Sequence, residues 1–424
     1  MTSPAPQSPP TGPTGTPAKA SRAALAVVFA TVFLDLVGFG LIIPIQAFYA
    51  QSFGARPAVI TLLGAAYSLM QFLFMPYWGR LSDRIGRRPV ILSSVAMSTI
   101  GFALFAGADT IWMLFAARML AGFGNANIGA AQAVIADSTT PADRAKGMGL
   151  IGLAFGLGFV LGPAIGGTLG QYGLAVPAWA AAGLGLLNLV SAYLFLPETR
   201  PPNAEVPTQT RQQVRAGVLA RPRVKALLIL SLVMTTGFAL MEQLVALFIE
   251  YFWVPEALQA GSETEGHRRA ARMTTYAMLT VGLTMAVVQG GLTGKLTKRF
   301  GELKLVHGGA WVVLVGLLAM PLVGESGSFV LFVFNCVVLA AGQSLITPSM
   351  SGMLSHAVGP DQQGAALGMG QSMSSLARVL GPAAAGALFE VHTRVPYWSG
   401  ALLVVVGLVV MRGLRRGGQE PAPQ

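Results

Sequence analysis

The sequence predicts an all-α polytopic membrane protein built as two six-helix bundles, and three observations predict it. Of 424 residues, 53% are hydrophobic and only 11% are charged, with mean hydropathy +0.62, against about 25% charged in ordinary soluble domains. Apolar runs of span length recur twelve times, six on either side of a polar, proline-containing stretch. Sequence elements in the first six runs reappear in the second six at a nearly constant offset.

The runs lie near residues 23–48, 58–79, 89–108, 111–136, 147–170 and 174–196, then 225–252, 273–293, 303–323, 328–352, 364–390 and 396–413. A bilayer core about 30 Å thick needs about 20 apolar residues per helix, so each run is long enough to cross. The expected organisation is a disordered tail over 1–22, a first bundle over 23–196, a linker over 197–224, a second bundle over 225–413 and a tail over 414–424. The first tail is rich in Pro, Thr, Ser and Gly and has little to bury. The first run is too long for a signal-peptide core and lacks an A-x-A cleavage site, so it reads as a retained span.

Lys and Arg outnumber Asp and Glu by 28 to 17, a net charge of +11. Twelve crossings put both termini on one side; twenty-one of the basic residues fall on that side, five fall on the other, and Arg118 and Arg378 fall within spans. The positive-inside rule then places both termini in the cytoplasm of a multi-pass protein of the cell membrane. Topology accounts for the basic balance, so nucleic acid is not expected as a partner. Cys336 is the one cysteine, so no disulfide framework exists within the chain. The four histidines show no metal-ligand spacing, no nucleophile constellation or nucleotide-binding motif appears, and enzyme activity is not expected.

The internal echo is specific. GRLSDRIGRRPV (Gly79 to Val90) follows the second run and GKLTKRFGELKL (Gly294 to Leu305) follows the eighth; LGPAIGG (Leu161 to Gly167) and LGPAAAG (Leu380 to Gly386) end the fifth and sit in the eleventh. Two echoes at nearly one offset indicate related halves. Parallel repeats suit a carrier in which one half rocks against the other about a midplane site.

These residues resemble the major facilitator superfamily. The loop Gly79 to Val90 is similar to its signature loop. LDLVGFGLIIPI (Leu34 to Ile45), Arg118 to Ala126, GLGFVLGPAIGG (Gly156 to Gly167) and LPETR (Leu196 to Arg200) are similar to its twelve-span drug:proton antiporter branch, which includes tetracycline efflux pumps. The resemblance implies the major facilitator fold and proton-coupled export of small amphipathic compounds by alternating access, with the proton gradient as energy source and no cofactor. A proton-coupled symporter, an uncoupled facilitator and a non-transporting receptor are the alternatives. The implied partners are a small-molecule substrate, protons and the lipid bilayer, with the chain acting as a monomer.

Candidate sites follow. An acid deep in a span costs about 2.5 to 3.5 kcal/mol on the insertion scale and is a functional candidate by default. Asp35, about a dozen residues into the first span, is such an acid. Burial disfavours its charged form and a nearby cation favours it, so a moving partner would switch its protonation; Arg118 is the natural partner, and Glu242 is the other embedded acid. Glu250 and Glu390 lie nearer the outer ends and read as solvated. Gly79, Asp83, Arg84, Gly86, Arg87 and Arg88 form a conformational gate with Asp137. By resemblance, Asp83 docks on the start of span 11 and Arg87 pairs with Asp137 to hold the inner side closed. Gly158, Gly162 and Gly166 recur every four residues beside Pro163 and Gly167, a pattern for close, bent helix packing that the resemblance identifies as an antiporter element. Phe39, Tyr67, Gln71, Asn125, Phe238, Met241 and Gln243 are cavity candidates. Arg378 joins them as a buried cation that would favour an anionic substrate or pair with Glu242.

Overall fold

In the computed structural model, residues 17–139, 144–199, 211–255, 265–359 and 362–416 are described, and these contain helices and turns with no strand. The first half contains α1 (Pro17–Ser52), α2 (Pro57–Ile85), α3 (Arg87–Ala106), α4 (Ile111–Gly124), a 3-10 turn at Asn125–Asn127, α5 (Ile128–Ser138), α6 (Arg144–Gly170) and α7 (Val176–Phe195). A short helix α8 (Arg211–Ala220) precedes the second half. That half contains α9 (Pro222–Glu242), α10 (Val245–Trp253), α11 (Glu265–Val287), a wider π turn at Val288–Leu292, α12 (Thr293–Phe300), α13 (Glu302–Glu325), α14 (Phe329–His356), α15 (Gln363–Val391) and α16 (Val395–Arg416).

Local chemistry sets the helix starts. α2, α7 and α9 each have proline at a first-turn position, where its missing N–H is no loss. Thr110 and Ser328 cap α4 and α14, their hydroxyls accepting from Met113 N at 3.3 Å and Leu331 N at 3.4 Å. Two boundaries differ from expectation: α1 begins at Pro17, inside the predicted tail, and the predicted linker contains α8. Residues 1–16 and 417–424 of the two predicted tails lie outside the described residues, as do 200–210.

Nine helical stretches among the described residues are long and apolar enough to cross a bilayer, fewer than the twelve runs in the sequence. Two of the three differences have a physical origin: the fourth rod is split into α4 and α5 by the 3-10 turn, and α15 carries Gln371, Ser372, Ser374, Ser375 and Arg378 along one stretch. The third is α6, a 27-residue helix whose side chains are fully described only over Gly156–Gly170.

The packing repeats between halves. In the first, α1 packs on α6 and α7, and α3 packs on α4 and α7; in the second, α9 packs on α15 and α16, and α13 packs on α14 and α16. The halves meet through α2 with α15 and α6 with α11, contacts that the same pseudo-symmetry exchanges. Glycine decides how closely the rods approach, because only hydrogen stands between backbones. A Cβ on Gly162 would fall 2.6 Å from Gly40 Cα, and one on Gly158 would fall 2.6 Å from Leu36 Cβ, so α6 lies directly on α1.

The halves touch from the face opposite the termini inward to Gly282 against Val160 and Gly64 against Gln243, and part toward the termini. At the opposite face Gly386 is pressed on Pro57, Ala58 and Thr61, and Gly167 on Thr275. Gly386 N donates to Thr61 Oγ1 at 3.2 Å, Ala58 N to Glu390 Oε1 at 3.0 Å, and Gln51 Nε2 to Glu250 Oε2 at 2.6 Å. Toward the termini, Gly79, Gly290, Gly291, Gly294, Gly364 and Gly368 all have open space where a Cβ would stand. The chain is therefore a V, open on the terminal side.

Gly162→Val should lower the thermal unfolding temperature of detergent-solubilised protein, since overpacking costs about 1–3 kcal/mol. Gly156→Ala, beside open space, should hold or raise it, an interior Ala being favoured over Gly by roughly 0.5–1 kcal/mol. Equal melting of the Gly162→Val variant and the parent would refute the close α1–α6 approach.

Candidate functional site

Asp35 lies on α1, 8% exposed, within the first half. The 3-10 turn between α4 and α5 brings Asn127 to it, and α7 brings Asn188. Asn188 Nδ2 donates to Asp35 Oδ1 at 3.0 Å and to Thr31 O at 3.1 Å; Asn127 Nδ2 donates to Asp35 Oδ2 at 3.3 Å and to Ser94 Oγ at 2.8 Å. The carboxyl is thus held by neutral amides. Asn127 stands among the polar groups scattered along the spans as a hydrogen-bonding candidate; Asn188, inside the apolar run NLVSAYLF, is the partner that sequence reasoning misses.

Arg118, expected beside Asp35, is elsewhere. Its guanidinium lies 4.6 Å from the Tyr67 ring centroid and 5.5 Å from that of Phe39, a full helical turn along α1 from Asp35. Arg118 is 2% exposed, its Nε and Nη1 are buried without a hydrogen-bond partner, and no carboxylate lies within ion-pair distance among the described residues. The depth difference between the two residues is the reason the ion pair does not form.

Arg118 faces a narrow cavity of about 20 Å³ between the halves, lined by Phe39, Gly64, Tyr67, Ser68 and Phe159 from the first half and by Ala239, Glu242, Gln243, Arg378 and Pro382 from the second. Glu242 ends α9, and the break before α10 turns Glu242 and Gln243 toward this space. Glu242 and Arg378 share the cavity without forming an ion pair. The other cavity candidates are outside its lining: Gln71 donates to Asn125 O at 3.2 Å, Asn125 is buried in the 3-10 turn, Met241 is buried in the core, and Phe238 packs against that core. Ser68, Phe159 and Pro382 line it unforeseen.

The loop between α2 and α3 is a charged cluster inside the first half. Arg87 Nη1 contacts Asp83 Oδ1 at 2.6 Å and Ser82 Oγ at 2.9 Å, and Arg87 Nε contacts Asp137 Oδ2 at 3.1 Å. All these partners belong to one half, and the cluster is made while the terminal side is open. The Arg87–Asp137 pair is formed within the first half, where it organises the loop. Gly86, at φ 106°, turns the chain between the helices, a conformation L side chains rarely adopt. Against it lies Glu198 of the LPETR motif, whose Oε1 and Oε2 accept from Arg87 N at 2.9 Å and Arg88 N at 3.1 Å. Glu198 caps the first turn of α3, where a negative charge is favoured. Arg88 Nη2 donates to Tyr193 O at 2.7 Å, Arg84 is exposed, and Gly79 borders the open side.

Gly158, Gly162 and Gly166 all face α1, Gly166 being pressed on Leu41, and Pro163 meets Gly40. Gly167 faces the other way, onto Thr275 of the second half. Glu250, read as solvated, is instead fully buried at the closed face, since Gln51 of the first half covers it. His267 Nε2 lies 3.9 Å from Glu250 Oε1.

Two six-helix halves, a shared cavity and a charged signature loop describe one fold, and the model of the Major Facilitator Superfamily matches residues 28–302 and 269–424. The chain belongs to this superfamily. It is a multi-pass membrane transporter. The class C tetracycline resistance protein of Escherichia coli is 33% identical over 409 residues, covering 95% of this chain and 99% of the relative. Multidrug resistance protein 1 of Bacillus subtilis (strain 168) is 27% identical over 391 residues, covering 91% and 95%. Among solved structures, the human organic anion transporter MFSD10 superposes with TM-score 0.69 at 23% identity over 92% of this chain and 99% of that one. A bacterial homologue of the lysosomal transporter Spinster, inward-facing and unoccupied, gives 0.72 at 16% identity over 95% and 99%. These likenesses show the major facilitator fold.

Glu198→Ala removes a carboxylate from a helix start in this transporter and should cost about 0.5–2 kcal/mol of stability, read as a lower unfolding temperature in detergent. Glu198→Gln, which keeps one acceptor oxygen and no charge, should fall between; an unchanged temperature for the alanine variant would show that the cap contributes nothing.

Proposed function

We propose that the chain is a proton-coupled exporter of small amphipathic compounds, drugs among them, working by alternating access in the cell membrane with both termini in the cytoplasm. Asp35 carries this reading: a carboxyl group 8% exposed, inside a span, held by two neutral amides with no cation in reach among the described residues. Hydrocarbon surroundings penalise the ionised form, and access to water relieves the penalty, so a change in the tilt of the halves changes the proton occupancy. Glu242, facing the cavity, is the second proton-binding candidate. Arg118 acts on this equilibrium from a turn away and not by direct pairing.

On this assignment the V opens to the cytoplasm, ready to take cargo from inside. Closing it brings the α2–α3 loop toward the start of α15, where Asp83, held by Arg87 at 2.6 Å, is oriented to dock. The names of the tetracycline and multidrug resistance relatives support export. The proton gradient supplies the energy, and no cofactor and no second copy enter the cycle.

In proteoliposomes with an imposed pH gradient, the wild type should move a fluorescent drug against the inward flow of protons. Asp35→Asn should lose the gradient-driven component by about tenfold or more, the ratio set by 1.4 kcal/mol, while counterflow without a gradient persists. A variant that responds to the gradient like the wild type would remove Asp35 from coupling; co-accumulation of drug with protons would indicate symport, and indifference to the gradient a facilitator. Asp83→Asn should insert normally yet lose most transport, and full flux in the same vesicles would refute the docking role.

A further inference from the structure

The cavity between the halves holds more positive charge than its surroundings use. Arg118 is 2% exposed, its Nε and Nη1 are buried with no hydrogen-bond partner, and its one flank of support is the pair of rings Tyr67 and Phe39. An unpaired buried guanidinium is a strained arrangement unless a further group completes it. Arg378 reaches the same cavity from α15 in the opposite half, and no ion pair joins it to Glu242. Two guanidiniums against one carboxylate leave the space cationic when Glu242 is ionised and more so when it is neutral. The walls are flat and aromatic: Phe39, Tyr67 and Phe159. The space left between these side chains is small, about 20 Å³, so cargo must part them as it seats.

We infer that this cavity selects cargo carrying a carboxylate-type planar anion on an aromatic body, with Arg118 and Arg378 receiving the anionic group from the two halves. The guanidinium fork pairs with two coplanar oxygens in a way an ammonium or a neutral amide does not. The rings that flank Arg118 then stack on the body of the cargo. A cationic compound would meet one carboxylate and two repelling guanidiniums. The anion also has a mechanical role: without it the two arginines repel as the V closes, and with it they share a counter-charge, so closure is favoured only around cargo. The inference names the substrate class of the exporter proposed above and rests on that reading for the direction of flux alone.

The test is equilibrium binding to the purified full chain in detergent, using naphthalene-2-carboxylate, its neutral carboxamide and the cationic 2-naphthylmethylammonium. The carboxylate should bind about tenfold or more tightly than the carboxamide. Arg378→Gln and Arg118→Gln should each erase that preference while still binding the carboxamide, which shows that the cavity persists. Arg118→Lys should restore only part of it, a point charge replacing the fork. If Arg118→Gln fails to fold, Arg378→Gln, at a partly exposed site, decides. A wild type with no preference for the carboxylate, a preference for the ammonium, or a carboxylate preference that survives both glutamine variants would overturn the inference. Proton-driven flux is a separate measurement: carboxylate-selective binding without gradient-driven export would sink the exporter reading and leave the site, and export without selectivity would do the reverse.

Discussion

A lipid interior supplies no hydrogen-bond partner, so every polar group carried into it must be matched by the protein or left for a ligand or a proton to match. The functional layout of this chain follows from how its embedded charges meet that constraint. Asp35 is matched by neutral donors, Asn127 and Asn188, which satisfy its oxygens without supplying the charge that would fix it as a carboxylate. Arg118 is matched by π faces alone and keeps unpartnered N–H groups. Glu250 accepts a hydrogen bond at Oε2 from Gln51 of the other half, so that bond exists only while the face opposite the termini is shut. One acid is held inside a half, one cation is offered to the cavity, and one acid is tied to a particular arrangement of the halves.

Glycine converts this chemistry into movement of whole bodies. Within the first half, Gly158, Gly162 and Gly166 bring α6 against α1 so closely that the two helices must travel together. Between halves, Gly167 and Gly386 form the corresponding close contacts at the face opposite the termini, with Gly282 on Val160 and Gly64 on Gln243 further in. The rigid half so joined along one edge suits the rocking motion proposed above. The α2–α3 loop belongs to the rigid part: Gly86 turns it, Glu198 caps it, and Arg87 ties it to Asp83 and Asp137. A loop organised in advance loses little freedom when it docks, which is why its order in the open state is useful.

The fold class was legible because its signals are long: span-length apolar runs, basic loops on one side and an echo between halves each persist over many residues. That α6 packs closely on a neighbour was legible from its four-residue glycine period, but that the neighbour is α1 was not, since the period marks a face and not what meets it. The partners of Asp35 were not legible. Pairing charge with charge is the natural guess from sequence, but the distance between Asp35 and Arg118 depends on helix depth to within one turn, and the 3-10 turn that delivers Asn127 has no signature in NAN. The burial of Glu250 was hidden because it depends on which way the halves tilt. Glu198 was visible as part of LPETR, but its role requires knowing that the end of α7 returns beside the start of α3.

The separation of Asp35 from the cavity bears on how ion and cargo are linked. Were the two to share one pocket, competition for a single carboxylate would suffice. In the proposed cycle the proton site, Asp35, lies inside the first half, while the cargo space is bounded by Phe39 one turn further along the same helix. α1 therefore holds Asp35 among the amides of its half and Phe39 at the cavity on one helical face, separated by depth. A tilt of that half against α9 and α15 changes the water access of one and the walls of the other together. Coupling then runs through the orientation of a rigid body that both sites bias, the physical requirement for linkage between separated sites. It also follows that the neutrality of the cage matters as much as the acid: a cation beside Asp35 would hold it ionised in every orientation, and tilting would no longer move a proton.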